Sequence, residues 1–199
     1  MNLIILALIL TITNIDALNN NKSNKNCFIH SEEHPFEYLY STIDNPNEET
    51  DKNVYIYYIP EVNDYKKISW RFDSASKENK TSYFYIVSNK YNEYLCASES
   101  ASSNSRKIVR LSSMDDIESI NSLDTCKWRL EKIKSKSFSK EKSRYIIWNK
   151  YFDEPLYPSS PLLKTGHYKK NIYLWTWNVS NSNKFKWFIN CVGLGNKYY

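Results

Sequence analysis

Glutamine is absent from the 199-residue sequence, and glycine occurs only at Gly166, Gly193 and Gly195. Without glycines at fixed places there is no phosphate-cradling loop and no Gly-x-Ser-x-Gly turn of a serine hydrolase. Histidine is nearly as scarce, at His30, His34 and His167. The first two are four apart but fall in a strand-loop stretch before Pro35, so no metal is expected there. No Cys-x-x-Cys pair or His/Cys cluster has zinc spacing. The adjacent carboxylates Glu32–Glu33 and Asp153–Glu154 would point to opposite faces of a strand and cannot act as a pair. With no nucleophile beside a base and no metal set, the expectation is a protein that is not an enzyme and holds no cofactor. Long apolar runs are also missing: none reaches the roughly eighteen residues of a membrane span.

The longest apolar run is short and stands at the start. Leu3 to Ile12 is mostly apolar, and polar residues and the small Ala17 follow it, the pattern of a secretory leader. The expected organisation is a signal peptide over 1–17, a polar tail over 18–26 and a single domain over 27–199. Cys27, Cys96, Cys126 and Cys191 all lie beyond the leader. An even count in an exported chain implies two disulfides, with three possible pairings. Three Asn-x-Ser/Thr triplets begin at Asn21, Asn79 and Asn178, and Asn79 and Asn178 are taken as the glycosylation candidates. Aromatics are abundant, with 17 Tyr, 8 Phe and 6 Trp, and such side chains favour the pleated surface of strands over helices.

The sequence repeats itself. Trp70, Trp128 and Trp187 sit in matching contexts, 58 and 59 residues apart. An aromatic-Ile pair precedes them at Phe28-Ile29, Tyr85-Ile86 and Tyr145-Ile146. A Leu follows about ten residues on, at Leu39, Leu95 and Leu156. Apolar runs at Val54–Tyr57, Lys107–Leu111 and Asn171–Trp175 complete the order. Four anchors in the same order, three times over, define three units of about 27–80, 81–140 and 141–191. Each unit carries four short strands, about twelve in all, joined by turns rich in Asn, Ser, Asp and Lys. A helix is expected only over Ser113 to Leu123, where Ser, Asp and Glu lead the segment.

Three four-stranded units, each ending in a Trp-bearing strand, resemble the β-trefoil fold, in which six strands close a barrel and three hairpins cap it. The resemblance covers Cys27 to Cys191 and implies an all-β, pseudo-threefold, monomeric domain. Closure would bring the first and last strands together, which implies a Cys27–Cys191 clasp and leaves Cys96 and Cys126 to pair within the second unit. Among trefoils, ricin-type lectins are nearest by motif, but their repeats end in Gln-x-Trp, and here Ile68, Cys126 and Phe185 stand two before each Trp. Of the acid that such lectins place in a unit's first loop, Asp153 is the comparable residue. The scaffold is therefore expected to be lectin-like without the ordinary sugar motif. Kunitz-type trypsin inhibitors share the trefoil, the length and two disulfides. The Asn-, Lys- and Tyr-rich composition is similar to that of salivary proteins of insects.

Charge is uneven along the chain. Phe28 to Asp64 carries nine acids and one Lys, whereas Lys127 to Lys170 carries twelve Lys/Arg and four acids. In a closed barrel the two stretches would lie side by side and partly compensate. The densest cluster is Lys132, Lys134, Lys136, Lys140, Lys142 and Arg144, a candidate site for a sulfated polysaccharide or other anionic glycan. Fibroblast growth factors, also trefoils, use late basic loops in this way. Tyr173, Trp175 and Trp177 alternate along one strand and form a candidate aromatic platform. A secreted binder of carbohydrate or of an extracellular host protein is the expected function. A protease inhibitor and a small-molecule scavenger are the alternatives. Nucleic acid is not an expected partner, and no membrane span is expected.

Overall fold

A computed structural model describes residues 25–33, 35–43, 52–58, 64–101, 106–119, 123–133, 143–159, 170–175 and 182–193. The described chain is all-β apart from one short helix and three single turns of 3-10 helix. The first unit contains β1 (Lys25–Ser31), β2 (Glu37–Ile43), β3 (Lys52–Tyr58) and β4 (Ser69–Glu78). The second contains β5 (Thr81–Ser88), β6 (Tyr94–Ala101), β7 (Lys107–Ser112) and β8 (Lys127–Ile133). In the third are β9 (Arg144–Asn149), β10 (Leu156–Pro158), β11 (Lys170–Leu174) and β12 (Trp187–Gly193). Twelve strands in three sets of four is the number the repeat implied.

All pairings are antiparallel, and the sheet closes. β1 pairs with β4, β4 with β5, β5 with β8, β8 with β9, β9 with β12 and β12 with β1. The remaining strands form three hairpins, β2–β3, β6–β7 and β10–β11. Their second strands meet one another: β3 pairs with β7, β7 with β11 and β11 with β3. Closure removes most of the exposed edges that an open sheet of this size would have to protect.

The anchors of the repeat are where the units lock. Trp70, Trp128 and Trp187 are fully buried, and each indole Nε1 donates to the carbonyl oxygen of the buried Leu of its own unit. The distances are 2.9 Å to Leu39, 2.7 Å to Leu95 and 3.0 Å to Leu156. A buried indole needs such an acceptor, since an unmade hydrogen bond there would cost about 1–3 kcal/mol. One anchor moves by a residue. Cys27, Phe84 and Tyr145 face the three strands at Trp70, Trp128 and Trp187, so the matching isoleucines are Ile29, Ile86 and Ile147, all fully buried. Ile146, the residue in the sequence match, is half-buried. A shift of one along a strand turns the side chain to the other face.

Two residues beyond each of these isoleucines the chain turns on a buried polar side chain. Ser31 Oγ accepts from the Glu33 amide, Ser88 Oγ from Tyr91, and Asn149 Oδ1 from both Tyr151 and Phe152. The expected helix forms as α1 (Met114–Ser119). Ser113 caps it reciprocally: its Oγ accepts from the Asp116 amide at 3.1 Å, and Asp116 Oδ2 accepts from the Ser113 amide at 3.3 Å. The paired bonds satisfy two donors that a helix start otherwise leaves open. Ile117 on α1 is buried with Cys96 and Cys126. Both disulfides are formed, Cys27–Cys191 and Cys96–Cys126, as the resemblance implied.

Candidate functional site

Of the six cations singled out in the sequence, the two described ones, Lys132 and Arg144, differ in environment. Arg144 Nη1 is 2.9 Å from Glu32 Oε1, and Lys186 Nζ approaches Glu32 at 3.9 Å. Lys170 Nζ lies 2.6 Å from Glu37. Acids of the first unit thus pair with bases of the third at two places, Glu32 just beyond β1 and Glu37 at the start of β2. Lys132, near the end of β8, is exposed. Lys134, Lys136, Lys140 and Lys142 lie outside the described residues, in the segment that leaves and returns at the Ile133–Arg144 pair.

A groove of about 410 Å³ opens beside that pair. It exists because β5 and β8 are in register only at Phe84–Trp128 and Tyr85–Lys127 and then part. One wall is Lys80, Thr81, Ser82 and Tyr83; the other is Arg129, Leu130 and Glu131, with Tyr145 among the lining residues. Arg129 is held in place from three sides. It lies 4.5 Å from the centre of the Trp148 ring, pairs with Asp153 at 3.0 Å and approaches Glu131 at 3.6 Å. Trp148 Nε1 donates to Glu131 at 2.8 Å. Asp153, the acid comparable to a lectin's, has φ 49° and engages Arg129.

The outer wall is braced by Lys150. Its Nζ reaches Glu78 at 2.6 Å and Asp124 at 3.0 Å and sits 5.2 Å over the Tyr83 ring. The Lys150 hydrogen bond holds the Glu78 carboxyl below the usual carboxylate range. At Asp124 burial pushes upward, but hydrogen bonds from Lys127 and Lys150 overcome it, and the net direction is also down. Asn79 and Lys80 form the exposed turn between β4 and β5, both left-handed at φ 46° and 70°. Asn178 lies outside the described residues.

Two members of the aromatic platform share neighbours in the structure. Tyr173 and Trp175 are half-buried, and Trp177 lies outside the described residues. Tyr157 packs edge-on to Trp175 at 5.7 Å and also meets Tyr173 and Phe185. Burial raises the Tyr157 phenol against the opposing pull of Arg106. The Arg106 guanidinium lies over Trp175 at 4.6 Å and over Tyr173 at 5.6 Å. A planar ligand stacking on those faces would have to displace the arginine.

Sequence reasoning missed one set of residues. Glu37, Glu93 and Glu154 each stand two before the buried Leu of a unit, and Lys52, Lys107 and Lys170 each open the second strand of a hairpin. Lys170 of unit three pairs with Glu37 of unit one, and Lys107 of unit two pairs with Glu154 of unit three. Lys52 and Glu93 occupy the third matching pair of positions. The signal was available: aligning the units on Leu39, Leu95 and Leu156 would have lined up the acids.

No family model and no curated protein matches the sequence. Solved structures do share the fold. The SDF2-like protein from Arabidopsis thaliana superposes with a TM-score of 0.62 at 14% identity, covering 85% of this chain and 94% of that one. The S. cerevisiae protein O-mannosyltransferase Pmt1-Pmt2 complex, bound to the sugar donor, gives 0.62 at 12% identity. The match covers 85% of this chain and spans a quarter of the mannosyltransferase chain (25%). A salivary protein from Culex quiquefasciatus, of the Cysteine and Tryptophan-Rich family, gives 0.51 at 17% identity, covering 82% and 91%. At these identities the likeness is one of fold. Among the described residues no helix is long and apolar enough to cross a membrane.

Proposed function

We propose that this is an exported, non-catalytic binding protein on a β-trefoil scaffold, and that it captures a sulfated or otherwise anionic glycan. The six-strand circuit capped by three mutually paired hairpins supports the trefoil assignment. The leader-like start, the two disulfides and the likeness to a protein named as salivary support export. One observation carries the binding assignment: the groove between β5 and β8 has Lys80 and Arg129 on its two walls, and the strand that bears Arg129 runs on through Lys132 toward the Lys-rich segment. Arg129 is fixed by Trp148, Asp153 and Glu131, so the N–H donors that those acids leave open are already ordered when an anion arrives. Tyr83 and the hydroxyls of Thr81 and Ser82 add a ring face and neutral donors suited to a sugar.

The test is retention on heparin resin. Wild-type protein is expected to bind at low salt and to elute as ionic strength screens the contact. Changing Lys132, Lys134, Lys136, Lys140 and Lys142 together to Gln is expected to abolish retention. Arg144 is left intact because Glu32 depends on it. Passage of the wild type through the column at low salt would end this assignment.

A further inference from the structure

We propose that Asn79 carries an N-linked glycan that lies over the groove between β5 and β8 and governs access to it. The inference rests on the anionic-glycan assignment for what is kept out, but not for the cover itself. Asn79-Lys80-Thr81 is an acceptor triplet. Its asparagine is the first of two left-handed residues in a two-residue hairpin turn, the place where Asn is strongly favoured. That position is exposed at the hairpin tip. The next four residues, Lys80 to Tyr83, are one wall of the groove. A glycan rooted at Asn79 therefore starts on the rim.

Two further observations direct it there. The Lys150 contacts to Glu78 and Tyr83 tie down the hairpin on either side of the turn, so the root is held rather than swinging. Beyond Phe84 and Trp128, the stretches Thr81–Tyr83 and Arg129–Ile133 are in register with β4 and β9 respectively, but not with each other. Two strand edges thus face the groove, and open edges call for cover against pairing with another chain. A bulky hydrophilic glycan supplies that cover. In the transfer, Asn79 Nδ2 forms a bond to C1 of the sugar while the C1–O bond to a lipid-diphosphate donor breaks. The diphosphate leaves with the bonding electrons, and one amide proton is released.

The experiment compares full-length protein secreted from a glycosylating host with Asn79→Gly and Thr81→Ser from the same host. Glycine suits the left-handed turn and removes the acceptor, whereas serine keeps the triplet. Peptide mass mapping is expected to find a glycan on Asn79 in the wild type and in Thr81→Ser. Amine acetylation of Lys80 and Lys132 is expected to run several-fold slower in those two proteins than in Asn79→Gly, and Asn79→Gly is expected to elute from heparin at higher salt. An unmodified Asn79, or equal acetylation with and without the glycan, overturns the proposal. Slower acetylation with no heparin binding by any form upholds the cover and instead overturns the anionic-glycan assignment.

Discussion

Units two and three solve the same packing problem with different chemistry. The residue after the buried Leu and the residue two before the buried Trp face each other in both. In unit two they are Cys96 and Cys126, joined by a disulfide. In unit three they are Tyr157 and Phe185, with ring centres 5.7 Å apart. In both units a bridge joins the hairpin to the turn before its Trp strand, and the two bridges use different residues. A disulfide supplies it largely by restricting the unfolded chain, while a pair of rings supplies it by burial in the native one. At this position unit two is sensitive to reductant and unit three is indifferent to it. The comparison also bears on the position two before each Trp. Ile68, Cys126 and Phe185 are all buried, at 1%, 1% and 6% exposure, so the place of the lectin's Gln is a core position here.

The largest expected effect breaks the bridge in unit two. Cys96→Ser with Cys126→Ser opens a loop of 30 residues and should cost about 3.5 kcal/mol on the loop-entropy model, read as a lower urea midpoint. Cys96→Tyr with Cys126→Phe writes the unit-three pair into unit two and should return about half of that loss through regained burial. No recovery would show that the two bridges are not interchangeable. A smaller effect is expected between units. Lys107→Met strands the buried Glu154 without its cation; since the Lys107 side chain is 25% exposed, the cost should be about 2 kcal/mol rather than that of a fully buried pair. Lys132→Met, on an exposed strand end, should change stability by less than about 0.5 kcal/mol. Equal effects would remove the distinction between ring and surface lysines.

The smallest effect concerns pH. Glu78 and Asp124 both have depressed values in the folded protein. A depressed acid stabilises the fold above its unfolded value, about pH 4 for a carboxylate, and that contribution disappears as pH falls through the folded value. Wild type should therefore melt above Lys150→Met at neutral pH, and the gap should narrow below about pH 4. A gap that stays constant on acidification would show that Lys150 acts by packing alone.

Much of the fold was legible because its signals are large and apolar. Three tryptophans at a steady period announce three buried strands, and Cys27 and Cys191 sit where closure must bring the ends together. The Tyr145-Ile146 match slipped by one because Ile146 and Ile147 are adjacent and equally apolar; the choice is made by pairing across to Trp187, which no local pattern reveals. The acids at Glu37, Glu93 and Glu154 were hidden among 22 Asp and Glu, since a charge looks solvated until its partner, more than 40 residues away, is brought to it. The same distance hid the Arg144–Glu32 contact inside what reads as one basic run. The groove was invisible for a further reason: it is the gap left where two strands part, and no residue encodes a gap.

The lysine-to-glutamate contacts have a direction. Unit two reaches to unit three and unit three reaches to unit one, so each contact is head-to-tail rather than mutual. A head-to-tail contact repeated through a fixed rotation either closes on itself or grows without limit, and here the rotation closes after three. A chain that lost one unit would therefore not be a smaller edition of the same barrel. It would present an unmatched lysine at one end and an unmatched acid at the other, which only a further unit could satisfy together.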